Sequence, residues 1–376
     1  MEHTFWIWYP GDFELYHAMK QNFSRVERGF GWPAFWKSEG FRNRVAFRRT
    51  YELEQETSFT VFSNAIGHVL VTWENGEKKY PFGKKIAAGP GKVKVSIHAG
   101  CVEAFPCAYV QGEVIHSDKT WMAEDYSQPL VPVGVCKYFT KPEQKPTVWE
   151  YTEKECKPVK ISEVNGGVLA EFETELTAAV SVKDKRKTAL EKEKRKVVKN
   201  IENGYEGNAE EISDAGNCGR ESGSGDSCDV LEVFCGESED EALDLEHCYY
   251  SWQPDPVTNR CPCCAVRFAF IPNCKAEDVE ITAFYQYVDF PKRASFKCSD
   301  QKLNKIWEVA EHTFRLCSGI FFLDGVKRDK WIWSGDAYQS FFVNQYLLAD
   351  PDIDQRTLLA LRGNDPMTRH INTIMD

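Results

Sequence analysis

Between Asp324 and Asp336 the chain sets three carboxylates, one arginine and two tryptophans within thirteen residues: Asp324-Gly325-Val326-Lys327-Arg328-Asp329-Lys330-Trp331-Ile332-Trp333-Ser334-Gly335-Asp336. Glycoside hydrolysis needs this kind of equipment. An acid must protonate the leaving oxygen, further carboxylates must hold sugar hydroxyls, and an aromatic wall must meet the ring. The same residues admit a structural reading, in which Asp336 caps a helix, Arg328 pairs with Asp324 or Asp329, and Trp331 and Trp333 are core. Composition leaves both readings open.

The elements that would position this stretch are helical. Ser299 suits an N-cap, and Leu303, Ile306, Trp307, Ala310 and Phe314 recur at the spacing of one helical face. Gly319 can stop that helix. A second helix is predicted from about Asp336 through Phe341, Phe342 and Leu347, and a shorter one over Ile353–Leu361, closed by Gly363. Upstream the period is two. Val45–Tyr51, Ser58–Phe62, His68–Trp73 and Lys92–Ile97 alternate apolar and polar residues between turns, as in a β-sandwich. Asn75-Gly76 suits a type I′ hairpin turn.

The Pro- and Lys-bearing Lys141–Pro146 reads as a linker or inter-domain crossing. Strand-like runs resume at Gly167–Glu173 and Val230–Phe234 and end near Ile281–Val288, which predicts a second β-domain. Residues 183–227 are rich in Lys and Glu and then in Gly, Ser, Asn and Asp, too polar to offset their ordering entropy. They read as a solvated insertion. The expected domains are therefore 1–140, 141–296 with that insertion, and 297–376.

At 376 residues, two or three domains are expected. The net charge of −11 carries no basic stripe for a run of phosphates, which argues against a nucleic-acid partner and favours a neutral or weakly charged ligand. No window is apolar enough to span a bilayer, and Met1-Glu2-His3-Thr4 lacks the form of a secretory leader, so no membrane partner and a cytoplasmic address are expected. The 14 cysteines are scattered and read mostly as reduced, buried thiols. The densest group, Cys261, Cys263 and Cys264, has irregular spacing for a zinc knuckle, and neither a metal nor another cofactor is expected. Trp6, Trp8, Trp32 and Trp36 could form a glycan platform or pack a domain.

The Asp324–Asp336 stretch resembles the active-site motif of family 78 α-L-rhamnosidases, Asp-Gly-Ile-Lys-Arg-(Asp/Glu)-Arg…Trp…Gly-Asp. Asp324, Gly325, Lys327, Arg328, Asp329, Trp333, Gly335 and Asp336 agree in order and spacing. The flanks Phe321–Leu323, Ala337–Ser340, Arg362–Pro366 and His370–Ile374 are similar too, as are Trp6–Asp12 and Gly236–Ala242.

The resemblance implies inverting hydrolysis of terminal α-L-rhamnosyl groups by an (α/α)6 barrel preceded by β-sandwich domains. It puts Asp329 at the general acid, Asp324, Arg328 and Asp336 against rhamnose hydroxyls, and Trp333 in the wall of the −1 pocket; His370 would border the site. Two positions depart from the pattern: Asp329 stands where several relatives have Glu, and Lys330 where Arg is usual, which loses a planar fork for bidentate contacts. The family's general base is a Glu on a later barrel loop, and the roughly 80 residues after Cys298 are too few for six helical hairpins. The expectation is therefore a multidomain chain of β-sandwich accessory domains and the first helices of a truncated barrel, without its base and inactive alone. Oligomeric state and aglycone are not legible. A non-catalytic carbohydrate-binding protein and an (α/α)6 glycosidase for another sugar are the competing readings.

Overall fold

Along Gly91–Gly100, Val93, Val95, Ile97 and Ala99 are buried while Lys92 and Lys94 face solvent, as the two-residue period of a strand requires. The computed structural model describes residues 4–23, 41–127, 129–186, 231–327 and 330–362. They fall into two compact units, one of Met1–Tyr151 with Tyr287–Asp376, the other of Thr152–Gln286. The chain is multidomain and rich in β-sheet, with few helices.

In chain order the first unit contains β1 (Trp6–Trp8), α1 (Asp12–Phe23), β2 (Arg44–Leu53), β3 (Thr57–Ser63), β4 (Ile66–Trp73), β5 (Gly76–Tyr80), β6 (Lys85–Ala88), β7 (Gly91–Gly100), β8 (Cys107–Gly112), β9 (Met122–Glu124) and β10 (Val131–Pro132). They form two antiparallel sheets, ordered β1-β8-β3-β6 and β10-β9-β2-β7-β4-β5. Inward residues of both sheets, among them Phe47, Val61, Val71, Ile97, Val110 and Trp121, share one apolar core. Registry between β2 and β7 is unbroken from Arg44 opposite Gly100 to Leu53 opposite Gly91. The β4–β5 hairpin corrects the expected turn. Trp73 pairs with Gly76, so Glu74-Asn75 occupy the central positions; Gly76 alone has positive φ, at 153°, and no type I′ turn forms.

The outer face of β1 and β8 is also buried. Trp6, Trp8, Phe105, Cys107 and Tyr109 pack against Phe13 of α1 and against Phe139, with Trp8 stacked on Phe13 at 4.8 Å. Trp6 and Trp8 are therefore core; Trp32 and Trp36 lie outside the described residues. A Cβ on Gly134 would come within 2.5 Å of Trp8 Nε1, so glycine alone lets that segment lie on the indole. Lys141–Pro146 belongs to this unit: Gln144 Oε1 accepts the Thr140 and Lys141 amides, and the Pro146 carbonyl accepts from His17 Nε2 at 2.8 Å.

The second unit is one antiparallel sheet of β11 (Thr152–Cys156), β12 (Lys160–Val164), β13 (Gly167–Asp184), β14 (Val233–Gly236), β15 (Tyr250–Trp252), β16 (Cys264–Pro272) and β17 (Val279–Tyr287), with α2 (Glu239–Leu243) after β14. The sheet orders β11-β17-β13-β16-β14-β15, and β12 pairs with β13. Its spine β13 is 18 residues long and carries a register shift between Glu171 and Leu176. Beyond Asp184, the expected insertion lies largely outside the described residues. Burial pushes the Cys261 thiol up to about 12, which keeps it protonated. Among the described residues, no group of three or more His, Cys, Asp and Glu could hold a metal ion, and no helix is long and apolar enough to cross a membrane.

Three helices complete the first unit: α3 (Gln301–Leu316), α4 (Ser334–Leu347) and α5 (Pro351–Arg362). They do not form a core alone. Leu15 and Ala18 of α1 pack with Ala360 and Leu361 of α5, Ala337 of α4, and Trp331 and Ile332. The start and end of the chain thus share one apolar cluster.

Candidate active site

The first helix after the sheets is capped by Asp300 rather than Ser299, with Asp300 Oδ1 accepting the Lys302 amide at 2.8 Å. The carboxylate also complements the positive end of the helix dipole. The helix ends at Leu316, and Cys317, not Gly319, is its C-cap, with backbone N–H donating to Thr313 and Arg315 carbonyls. Its apolar face is only part covered: Leu303 and Ile306 are 47% and 55% exposed, while Trp307 and Phe314 pack against Phe322, Phe290 and Leu347.

The chain then turns back on α3. Leu323 N–H donates to Cys317 O at 2.9 Å, and Phe322 N–H donates to Thr357 Oγ1 at 3.1 Å. Phe322 is buried between Phe314 and Phe341, with ring centroids at 5.5 and 6.0 Å. This aromatic anchor fixes where Asp324 emerges.

Asp324 closes a loop with Trp331. Its amide donates to Trp331 O at 3.0 Å, and its Oδ1 accepts the Trp331 amide at 2.9 Å. Lys330 takes the left-handed conformation at φ 47°, with its carbonyl held by Gln21 Nε2 at 3.2 Å. Trp331 and Ile332 are buried in the α1/α4/α5 cluster. Both ends of the loop are thus tied to core, while Arg328 and Asp329 lie outside the described residues.

On the far side, α4 begins at Ser334 with Trp333 as N-cap residue and no side-chain cap. Asp336 is not the cap. It stands exposed in the first turn, where the N-terminal dipole favours a carboxylate.

A cavity of about 880 Å³ opens between α3, the loop and α4. Asp324, Asp336, Gln339 and Ser340 are among its polar groups, with Thr313 and with Glu311, which is ion-paired to Lys292 and Arg315; Trp307, Phe314, Leu323 and Leu347 supply apolar wall. The structure therefore brings Asp324 and Asp336 together on one cavity. Trp333 does not line it and packs partly buried against the α1/α4/α5 cluster. The aromatic lining comes instead from Tyr346 and from Trp307 and Phe314, whose helical spacing marks a face without saying what it meets. His370 lies outside the described residues. An open cleft with convergent carboxylates and an apolar wall can hold a polyhydroxylated ring, hydroxyls on the acids and a C–H face on the aromatics.

No protein-family model matches the chain, and no curated protein matches it. Solved structures do. The α-L-rhamnosidase from Dictyoglumus thermophilum is 14% identical over 81% of this chain and 39% of its own, with a TM-score of 0.32. The Streptomyces avermitilis α-L-rhamnosidase complexed with L-rhamnose is 10% identical over 86% and 36%, with a TM-score of 0.35. The GH78 family rhamnosidase of Bacillus sp. GL1 is 13% identical over 85% and 38%, with a TM-score of 0.33. The chain spans less than two fifths of each of these proteins.

Proposed function

We propose that this chain carries the sugar-holding, acid-bearing part of an inverting α-L-rhamnosidase, acting on terminal α-L-rhamnosyl groups. The supporting observation is that Asp324 and Asp336, the two ends of the Asp-Gly-x-Lys-Arg-Asp…Gly-Asp pattern, line one cavity with an apolar wall. Helices α3 to α5 are read as the first helices of an (α/α)6 barrel.

In this mechanism Asp329, on the loop pinned by Asp324 and Trp331, donates a proton to the glycosidic oxygen as the C1–O bond breaks. Asp324, Asp336 and Arg328 hold ring hydroxyls. Trp307 and Phe314, in place of Trp333, are the candidates for the apolar surface that meets the ring and its C5 methyl. Inversion further requires a carboxylate base about 6.5–9.5 Å from the acid, with a water between them. No residue of this chain is assigned that role; the resemblance puts it on a later barrel loop.

The test is hydrolysis of para-nitrophenyl α-L-rhamnoside by residues 1–376 and by a longer form that carries them, with the released anomer followed by NMR. Turnover by the longer form, releasing β-L-rhamnose first, is the expected result. Saturable rhamnose binding without turnover in either form would move the assignment to a carbohydrate-binding protein. Release of the α-anomer would overturn the inverting mechanism.

A further inference from the structure

The Lys330–Trp331 peptide is held at both of its polar ends. Its carbonyl oxygen accepts from Gln21 Nε2 at 3.2 Å, and its N–H donates to Asp324 Oδ1 at 2.9 Å. The C=O and N–H of a trans peptide point to opposite sides, so one rigid plane joins the Gln21 amide to the Asp324 carboxylate. That carboxylate lines the cavity between α3 and α4.

Gln21 is the fixed end of this relay. It stands on α1 three residues after Ala18, on the side of the helix from which Leu15 and Ala18 pack against Trp331 and Ile332. Its side chain therefore reaches the peptide from a surface already set by apolar packing. The peptide, by contrast, does not hold its place by backbone preference: Lys330 sits at φ 47°, a left-handed conformation disfavoured for a residue with a Cβ. Donation into the carbonyl also polarises the peptide and strengthens the donor at its other end. The Asp324 amide donates to Trp331 O at 3.0 Å, which fixes the backbone of Asp324 but not the direction of its carboxylate. That direction is left to the Trp331 N–H, and so to what holds the peptide plane.

We propose that Gln21 is a positioning residue for the ligand site: through the Lys330–Trp331 peptide it directs the Asp324 carboxylate toward the cavity. Helix α1, 309 positions away from Lys330, then sets how tightly the site holds a sugar hydroxyl, although Gln21 does not itself line the cavity. The proposal rests on the reading of Asp324 as a sugar-holding residue.

The sequence contains a single Lys-Trp pair, so protein labelled with 13C-carbonyl lysine and 15N-tryptophan shows one carbonyl–nitrogen correlation, that of this peptide. Gln21→Met removes the donor at similar volume, and Gln21→Lys keeps an N–H donor. In Gln21→Met the Lys330 carbonyl and the Trp331 amide should both move upfield as their hydrogen bonds weaken. Calorimetric titration should then show L-rhamnose bound about two- to tenfold more weakly, the worth of one neutral hydrogen bond. Gln21→Lys should return both toward wild type, and Asp324→Ala, run beside them, tests the premise. An unchanged correlation in Gln21→Met overturns the proposal, because the peptide then does not depend on Gln21. A shifted correlation with unchanged affinity, where Asp324→Ala binds more weakly, also overturns it and leaves Gln21 a purely structural contact. Equal losses in Gln21→Met and Gln21→Lys overturn it too, since the donor is then not what matters. If Asp324→Ala binds L-rhamnose as tightly as wild type, the sugar-holding reading itself fails, and the proposal falls with it for a reason that does not involve Gln21.

Discussion

Asp324 has two separable jobs, and a pair of substitutions distinguishes them. Its Oδ1 accepts the Trp331 amide at 2.9 Å, closing the loop that carries Arg328 and Asp329, and its carboxylate also faces the cavity. Asp324→Ala takes this acceptor away from the amide of a buried tryptophan, at a cost of about 1–3 kcal/mol. For a unit of this size each kcal/mol lowers Tm by roughly 2–4 °C, so the midpoint should fall by about 2–12 °C. Asp324→Asn keeps an oxygen for the Trp331 amide and should stay within about 0.5 kcal/mol of wild type. Rhamnose affinity should behave differently. A hydrogen bond to a charged group contributes about 1.5–3 kcal/mol against about 0.5–1.5 for a neutral one, so Asp324→Ala, which loses the bond, should bind L-rhamnose about tenfold or more weakly, and Asp324→Asn, which loses only the difference of about 1–1.5 kcal/mol, about five- to tenfold more weakly. Thermal unfolding and calorimetric titration on the same samples measure the two quantities. If Asn destabilises as much as Ala, charge rather than the acceptor holds the loop. If affinity is unchanged in both, Asp324 does not hold sugar.

Asp329→Asn, in the longest active form, should lower turnover of an aryl rhamnoside with a poor leaving group by about 10²–10⁴ while binding persists; undiminished turnover would remove Asp329 from the acid role. Burial pushes Glu14 up to about 7 from 4.5, so the native state holds the extra proton, and stability present below pH 4.5 is lost as pH rises through about 7, ~3 kcal/mol in all. Burial lowers His17 to about 4 from 6.5, with the opposite sign: its contribution is present above pH 6.5 and lost as pH falls through about 4. Urea unfolding across pH 4–8 should therefore show Glu14→Gln gaining on wild type as pH rises; a constant difference would show that Glu14 does not titrate in that window. Phe322→Ala, at the aromatic anchor before Asp324, should cost about 3–5 kcal/mol in the same assay, and a loss below 1 kcal/mol would show that Phe322 does not anchor the loop.

Local period made the strands of the first unit legible. Alternation in β2, β3, β4 and β7 follows from strand geometry, and each inward residue found the same core. Composition likewise made the three late helices legible, with ends displaced by a residue or two: Asp300 replaced Ser299 because its carboxylate reached the Lys302 amide. Helix α1 was not read, because its Trp, Phe and Tyr neighbours obscure any clean stripe and it buries more than one side, Phe13 toward the β1/β8 sheet and Leu15 toward α5.

The chemical candidates were legible because their types and spacing lie within one short segment. Sequence by itself put Asp324, Arg328, Asp329 and Asp336 within thirteen residues, a span that an extended chain could still stretch to about 40 Å; that Asp324 and Asp336 line one cavity was decided by the fold. Tertiary packing decided what surrounds them. Trp333 turned toward the α1/α4/α5 cluster, while Trp307 and Phe314 became wall, because the facing of a helix depends on which distant surfaces compete to cover it. Glu14 and Arg356 lie more than three hundred positions apart, and no local pattern records that packing buries them close enough to act on each other.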